Sequence, residues 1–209
     1  MKNILLLGDS IRIGYDKSVK KSLEGIANVY FPEDNTRFAS YLLRYLTEYD
    51  RLIKDGTVDV LHWNAGLWDT LRLLGEDPHT PKDVYAYYIE RICIRIKKLW
   101  PNAKVIFATS TFVETKELPE SSWRSCDEIH EYNQIAVEIV KKYGFEIDDL
   151  EALSQTLPRE AHSDPVHFYT KMGTEAFSKQ VLKCLSQVLE LEEVPTYKEV
   201  MYEDKPIGC

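Results

Sequence analysis

Ile4-Leu5-Leu6-Leu7-Gly8-Asp9-Ser10 begins as an aliphatic run and stops on a glycine, an acid and a hydroxyl. The apolar part, residues 3–8, reads as a buried strand. Gly8 lets the backbone turn sharply. A helix beginning there would aim its first N–H groups at whatever the Ser10 hydroxyl meets. In open α/β sheets, ligands bind at the C-terminal ends of the strands. The same residues also suit a plain helix cap, with Asp9 or Ser10 accepting from the first turn. The tripeptide alone does not choose between a reactive hydroxyl and a cap.

Working outward, further strands are expected at Ile26 to Phe31 (ended by Pro32), at Val58 to Trp63, at Lys104 to Thr109 and at Phe145 to Ile147. Helical spacing falls between them. A short exposed helix is expected over 15–25, stopped by Gly25. Residues 37–50 carry Phe38, Tyr41, Leu42, Tyr45, Leu46 and Tyr49 on one stripe, read as core, with Thr36 as the candidate cap. Helices over 83–99, 125–143 (closed by Gly144) and 171–190 complete the set. Residues 70–82 and 110–124 read as loops, and 151–170 as mostly irregular. Strands alternating with helices call for a parallel sheet covered on both faces. The expected fold is therefore α/β: a three-layer α/β/α sandwich on a five-stranded parallel sheet, with a flavodoxin-like strand order as the natural choice. Residues 1–191 form one domain and 192–209 a loosely attached tail.

The chain has 209 residues, 44% hydrophobic and 29% charged, which suits one domain with a full core. The net charge of −8 argues against nucleic acid or an anionic membrane as partner. The apolar run after Lys2-Asn3 is too short for a secretion signal and no cleavage site follows. No segment reaches membrane-spanning length. Cys93, Cys126, Cys184 and Cys209 are far apart and form no CxxC pair. A disulfide framework is not expected, and a reducing cytoplasm fits best. The oligomeric state is not encoded in any of these features.

A serine hydroxyl becomes a nucleophile when a base takes its proton, and a histidine does this best when a carboxylate holds its ring. Asp164-Pro165-Val166-His167 offers that pair in a loop before the last helix, where it can return over the Ser10 edge. His62, inside a strand, reads as a core residue. His79 and His130 lack a neighbouring acid and nucleophile, and His162 is the one rival base. No histidine–carboxylate cluster has metal spacing, and the first strand lacks a GxGxxG phosphate loop. No cofactor is expected.

With both ends in view, the sequence resembles the GDSL/SGNH hydrolase family. Gly8-Asp9-Ser10 matches its first block, with Ile11 in place of leucine, and Asp164-Pro165-Val166-His167 matches its last. Asp148-Asp149-Leu150 also resembles the family's approach to that block. The resemblance implies an esterase with Ser10 as nucleophile, His167 as base and Asp164 orienting His167. It implies an oxyanion site built from the Ser10 N–H, an N–H of a second block and an asparagine of a third. There the sequence departs from the pattern. Gly66-Leu67-Trp68-Asp69 has Trp68 where the asparagine should stand, so Asn64 is the candidate amide. The second-block glycine is missing, with Asn35 as its stand-in. Losing one such donor costs about 3–4 kcal/mol of transition-state stabilisation. Trp68 is a candidate for lining an acyl or sugar subsite, and Asp69 for bracing the loop. The expected substrate is a small-molecule ester with a small acyl group, on a carbohydrate or similar alcohol. The alternative is a catalytically weak or inactive binding protein on the same fold. A flavodoxin-like flavin or nucleotide binder is disfavoured by the glycine-poor first loop.

Overall fold

A strand without polar alternation must be covered on both faces. Leu5, Leu6 and Leu7 in β1 (Lys2–Leu7) accordingly have no exposed surface. The computed structural model describes residues 1–54 and 56–200. After β1 come α1 (Ser10–Ser22), β2 (Ala27–Tyr30), α2 (Ala39–Tyr49), β3 (Val60–Trp63), β4 (Arg72–Leu73) and α3 (Lys82–Leu99). Then follow β5 (Lys104–Ala108), β6 (Ser122–Trp123), α4 (Cys126–Lys142), β7 (Glu146–Asp148), α5 (Leu150–Thr156) and α6 (Lys171–Leu189).

The main sheet has the order β2-β1-β3-β5-β7, and every pairing in it is parallel. Counting only these five strands, this is the expected flavodoxin-like order. Ile4 and Leu6 face one side with residues of α1 and α6; Leu5, Leu7 and Leu61 face the other with residues of α2, α3 and α4. Each fully buried leucine contributes about 1.5–3 kcal/mol of burial free energy. His62 is fully buried, as expected of a core residue, with Nε2 2.9 Å from Asp148 Oδ2.

Several local expectations need correction. The first helix begins at Ser10 rather than 15, and it is largely buried rather than exposed. Its polar sequence misled because Arg12 and Asp16 pair with each other inside the protein. Arg12 also donates to Pro32 O at 2.9 Å and Asp34 O at 2.7 Å. Charges paired in this way can be buried, whereas an unpaired one could not. Thr36 does not cap the second helix. Its N–H instead donates to Gly8 O, and the Asp69 carboxylate accepts from Ala39 N at 3.0 Å. Asp69 thus braces its loop against α2. On the aromatic stripe, Leu42, Leu46 and Tyr49 are core, while Tyr41 and Tyr45 stack nearer the surface at 4.4 Å between ring centroids. The two expected loops carry an antiparallel ribbon, β4 with β6, and the expected irregular stretch contains α5. The tail is held in part: Lys198 N donates to Ser22 Oγ and Val200 N to Ser18 Oγ. Residues 201–209, including Cys209, lie outside the described residues.

Gly8 sits where β1, β3 and α1 converge. A Cβ there would lie 2.0 Å from Asn64 Oδ1 and 2.7 Å from Arg12 Cβ. Gly8→Ala should therefore cost about 1–3 kcal/mol through overpacking, read as a lowered urea midpoint with an unchanged m-value. An unchanged midpoint would show that the corner has more slack than these distances imply.

Candidate active site

Asp9 follows β1 after Gly8 and caps α1, its Oδ1 accepting from Ile11 N at 3.0 Å. This starts the helix at Ser10 and fixes the hydroxyl over the strand ends. Ser10 is 2% exposed. Its Oγ lies 2.8 Å from His167 Nε2.

His167 arrives from a tightly bonded turn. Ser163 N donates to His167 O at 2.8 Å, and Val166 N and His167 N both donate to Asp164 Oδ1 at 2.9 Å. The same carboxylate meets His167 Nδ1 with both oxygens at 2.9 Å. Pro165 O accepts from Glu114 N at 2.8 Å, which seats the turn against the loop after β5. Asp164 sets the ring's tautomer: Nδ1–H donates to the carboxylate, and Nε2 accepts the Ser10 hydroxyl. Burial alone would raise the Asp164 pKa. The His167 hydrogen bond and charge and the two backbone N–H donors outweigh it, holding the carboxyl well below the usual carboxylate range. Asp9 behaves oppositely. Burial lifts its pKa, against the Ile11 N–H, the Asn64 amide and the charges of His167 and Arg124. Burial also pushes Asp69 up to about 7.

Ser10, Leu67, Trp68, Arg124, Val166 and His167 line a cavity of about 30 Å³. At roughly 10–15 Å³ per water-sized sphere, this is space for a group of very few heavy atoms. Trp68 thus lines the same cavity as Ser10. Asn64 and Asn35 are not among the lining residues. Asn64 Nδ2 donates to Asp9 Oδ2 at 2.9 Å, tying the ends of β1 and β3 together. Asn35 Oδ1 accepts from Arg37 N at 2.9 Å and shapes its own loop. A much larger hollow of about 930 Å³, bordered by Arg72, Trp123 and Glu128, lies over the β4–β6 ribbon and shares no lining residue with the Ser10 cavity.

The rival base, His162, packs against Phe168 at 4.0 Å between ring centroids, and burial lowers its pKa. His130 does have an acid beside it, with Nδ1 2.9 Å from Glu151 Oε1 on the surface of α4. Among the described residues, no group of three or more His, Cys, Asp and Glu could hold a metal ion. Among them too, no helix is long and apolar enough to cross a membrane.

Two residues at the site escaped the sequence reading. Tyr169 donates from its hydroxyl to Ser10 O at 2.6 Å, and its ring stacks on His167 at 5.0 Å. Its signal was Gly14, a glycine inside a helix: a Cβ there would lie 2.9 Å from the Tyr169 ring. Isolated helix glycines often mark such close approach. Arg124 donates from Nε to Leu67 O at 2.7 Å and is 8% exposed. It had no signal, because an arginine at the end of a polar loop normally reads as surface.

No family model and no curated protein matches the sequence. Solved structures do. The lipase/acylhydrolase from Enterococcus faecalis aligns over 96% of this chain and 100% of its own, at 19% identity and TM-score 0.69. A GDSL-like lipase from Bacteroides thetaiotaomicron covers 89% of this chain and 88% of its own, at 14% identity and TM-score 0.67. A catalytic mutant of an acetylxylan esterase from Geobacillus stearothermophilus covers 87% and 93%, at 16% identity and TM-score 0.67. The chain has the α/β/α fold of these structures.

The lowered Asp164 pKa has a stability consequence with a definite sign. An unfolded aspartate titrates near ~3.9, so the stabilisation is complete above that pH and fades as pH falls through the folded value. The Tm gap between wild type and Asp164→Asn should be widest above pH ~5 and shrink toward pH ~3. Thermal unfolding across that range measures it, and a gap independent of pH would contradict the charged Asp164–His167 contact.

Proposed function

We propose that the protein is a serine ester hydrolase that removes a small acyl group from an alcohol. The observation that carries this reading is the unbroken relay from Asp164 through His167 to Ser10, with contacts of 2.9 Å and 2.8 Å. Ser10 Oγ attacks the ester carbonyl carbon as His167 Nε2 takes its proton. The C=O electron pair moves onto oxygen. The tetrahedral intermediate collapses, the bond to the alcohol breaks, and the leaving oxygen takes the proton back from His167. Water, deprotonated by His167, then attacks the acyl carbon and releases Ser10 by the same steps. Asp164 holds the imidazole in position and stabilises the imidazolium.

The cavity of about 30 Å³ beside Ser10 supports an acyl group close to acetyl in size. The larger hollow, with Trp123 and several carboxylates along it, supports a polar alcohol such as a carbohydrate on the other side of the ester. An acetylxylan esterase among the structures of the same fold agrees with that substrate class. Cys93, Cys126 and Cys184 are free, which supports a reducing, cytoplasmic setting. One observation favours a second reading, a weak or inactive binding protein: Asn64 Nδ2 bonds Asp9, and neither Asn64 nor Asn35 lines the Ser10 cavity.

Hydrolysis of p-nitrophenyl esters decides between them. Wild type should turn over the acetate, and Ser10→Ala should lower kcat on the order of 10⁴–10⁶-fold with its fold intact. Acetate should be preferred over hexanoate by about tenfold or more, since a longer chain does not fit the cavity. Undiminished turnover by Ser10→Ala contradicts the mechanism, equal rates across chain lengths contradict the acyl size, and a wild type inert to every ester supports the binder.

A further inference from the structure

We propose that Arg124 stabilises the oxyanion that forms when Ser10 attacks an ester, an inference that rests on the esterase reading above. A serine nucleophile drives negative charge onto the carbonyl oxygen, and stabilising that charge is commonly the largest single catalytic effect. The site therefore needs donors where the oxygen arrives. Asn64 Nδ2 donates to Asp9, and neither Asn64 nor Asn35 is among the residues that line the cavity. Of the residues around the small cavity, Leu67 and Val166 offer apolar side chains, Trp68 a single neutral indole N–H, and His167 is engaged with the proton. Arg124 is the permanent cation in that lining.

Its placement is built, not incidental. Arg124 directly follows β6, whose residues pair across the ribbon, Trp123 with Arg72 and Ser122 with Leu73. Its Nε–H donates to the carbonyl of Leu67, a residue that itself lines the cavity. The ribbon and this bond fix the guanidinium from two sides. Its charge is felt by the buried Asp9 carboxyl, next in sequence to Ser10. In a cavity of about 30 Å³, any group added to Ser10 Oγ lies within reach of every wall. A guanidinium interacts weakly with a neutral ester oxygen and strongly with an oxyanion, so its effect appears in the transition state. When Ser10 Oγ bonds to the carbonyl carbon and His167 takes the proton, the displaced π pair rests on an oxygen facing Arg124. When that pair returns and the alkoxy bond breaks, the extra contact is released.

The test uses the full chain, p-nitrophenyl acetate and methylboronic acid, which forms a tetrahedral anionic adduct on a serine. Arg124→Met should lower kcat about 10²–10³-fold, with KM changed by less than about threefold. Boronate affinity should fall in parallel with kcat/KM. Arg124→Lys should recover part of the loss, and added guanidinium ion should raise the rate of Arg124→Ala but not of wild type. These two keep the test decisive if Arg124→Met folds poorly. A folded Arg124→Met with kcat within about threefold of wild type overturns the proposal, as does a loss confined to KM. A wild type that hydrolyses no ester overturns the esterase reading and the proposal with it. An active wild type beside an equally active, folded Arg124→Met overturns the proposal alone.

Discussion

The contact between Ser10 Oγ and His167 Nε2 joins residues 157 positions apart, and the architecture is arranged so that it can form. Parallel order brings the ends of β1, β3, β5 and β7 to one edge. Ser10 stands at the end of β1 because Asp9 starts α1 there. His167 descends from the loop between α5 and α6, and the backbone N–H groups that bind Asp164 fix its turn. Tyr169 closes the arrangement from above, stacking on His167 while bonding the Ser10 carbonyl.

Holding a polar site on a dry edge requires the charges beneath it to be paired. Arg12 and Asp16 bury each other under the loop that follows β2. Removing one partner of such a pair typically costs about 3–5 kcal/mol, because the other charge is then left uncompensated. Asp9 and Asn64 form a second link, joining the strand ends on either side of Gly8. That link explains why the asparagine seen in the sequence as an oxyanion donor is bonded elsewhere: its amide holds the corner that presents Ser10. His62 and Asp148 form a third, with Gln180 Nε2 donating to the other Asp148 oxygen at 2.8 Å.

The sheet's strands and the Asp164–His167 pair were legible because each rests on a local pattern: apolar runs ended by turns, and an acid three residues before a histidine. The strand order was the common choice for such a sheet, not something residues spell out, and joining Ser10 to His167 across 157 positions drew on the family resemblance. What was hidden depends on partners distant in sequence. Nothing in residues 10–22 announces that Arg12 finds Asp16 and two loop carbonyls, so the helix reads as exposed. The β4 and β6 strands have two residues each and exist only because they meet, so both read as loop. Arg124 became part of the site through that meeting. Gly14 was visible as an oddity but gained a reason only when Tyr169 lay against it.

The central claim is that Ser10 is a nucleophile activated by His167. Intact-protein mass spectrometry after exposure to a fluorophosphonate tests it directly, without assuming any substrate. The account predicts a single covalent adduct, mapped to Ser10 and lost in His167→Ala. No adduct on the folded wild type, or undiminished labelling of Ser10 in His167→Ala, would contradict it.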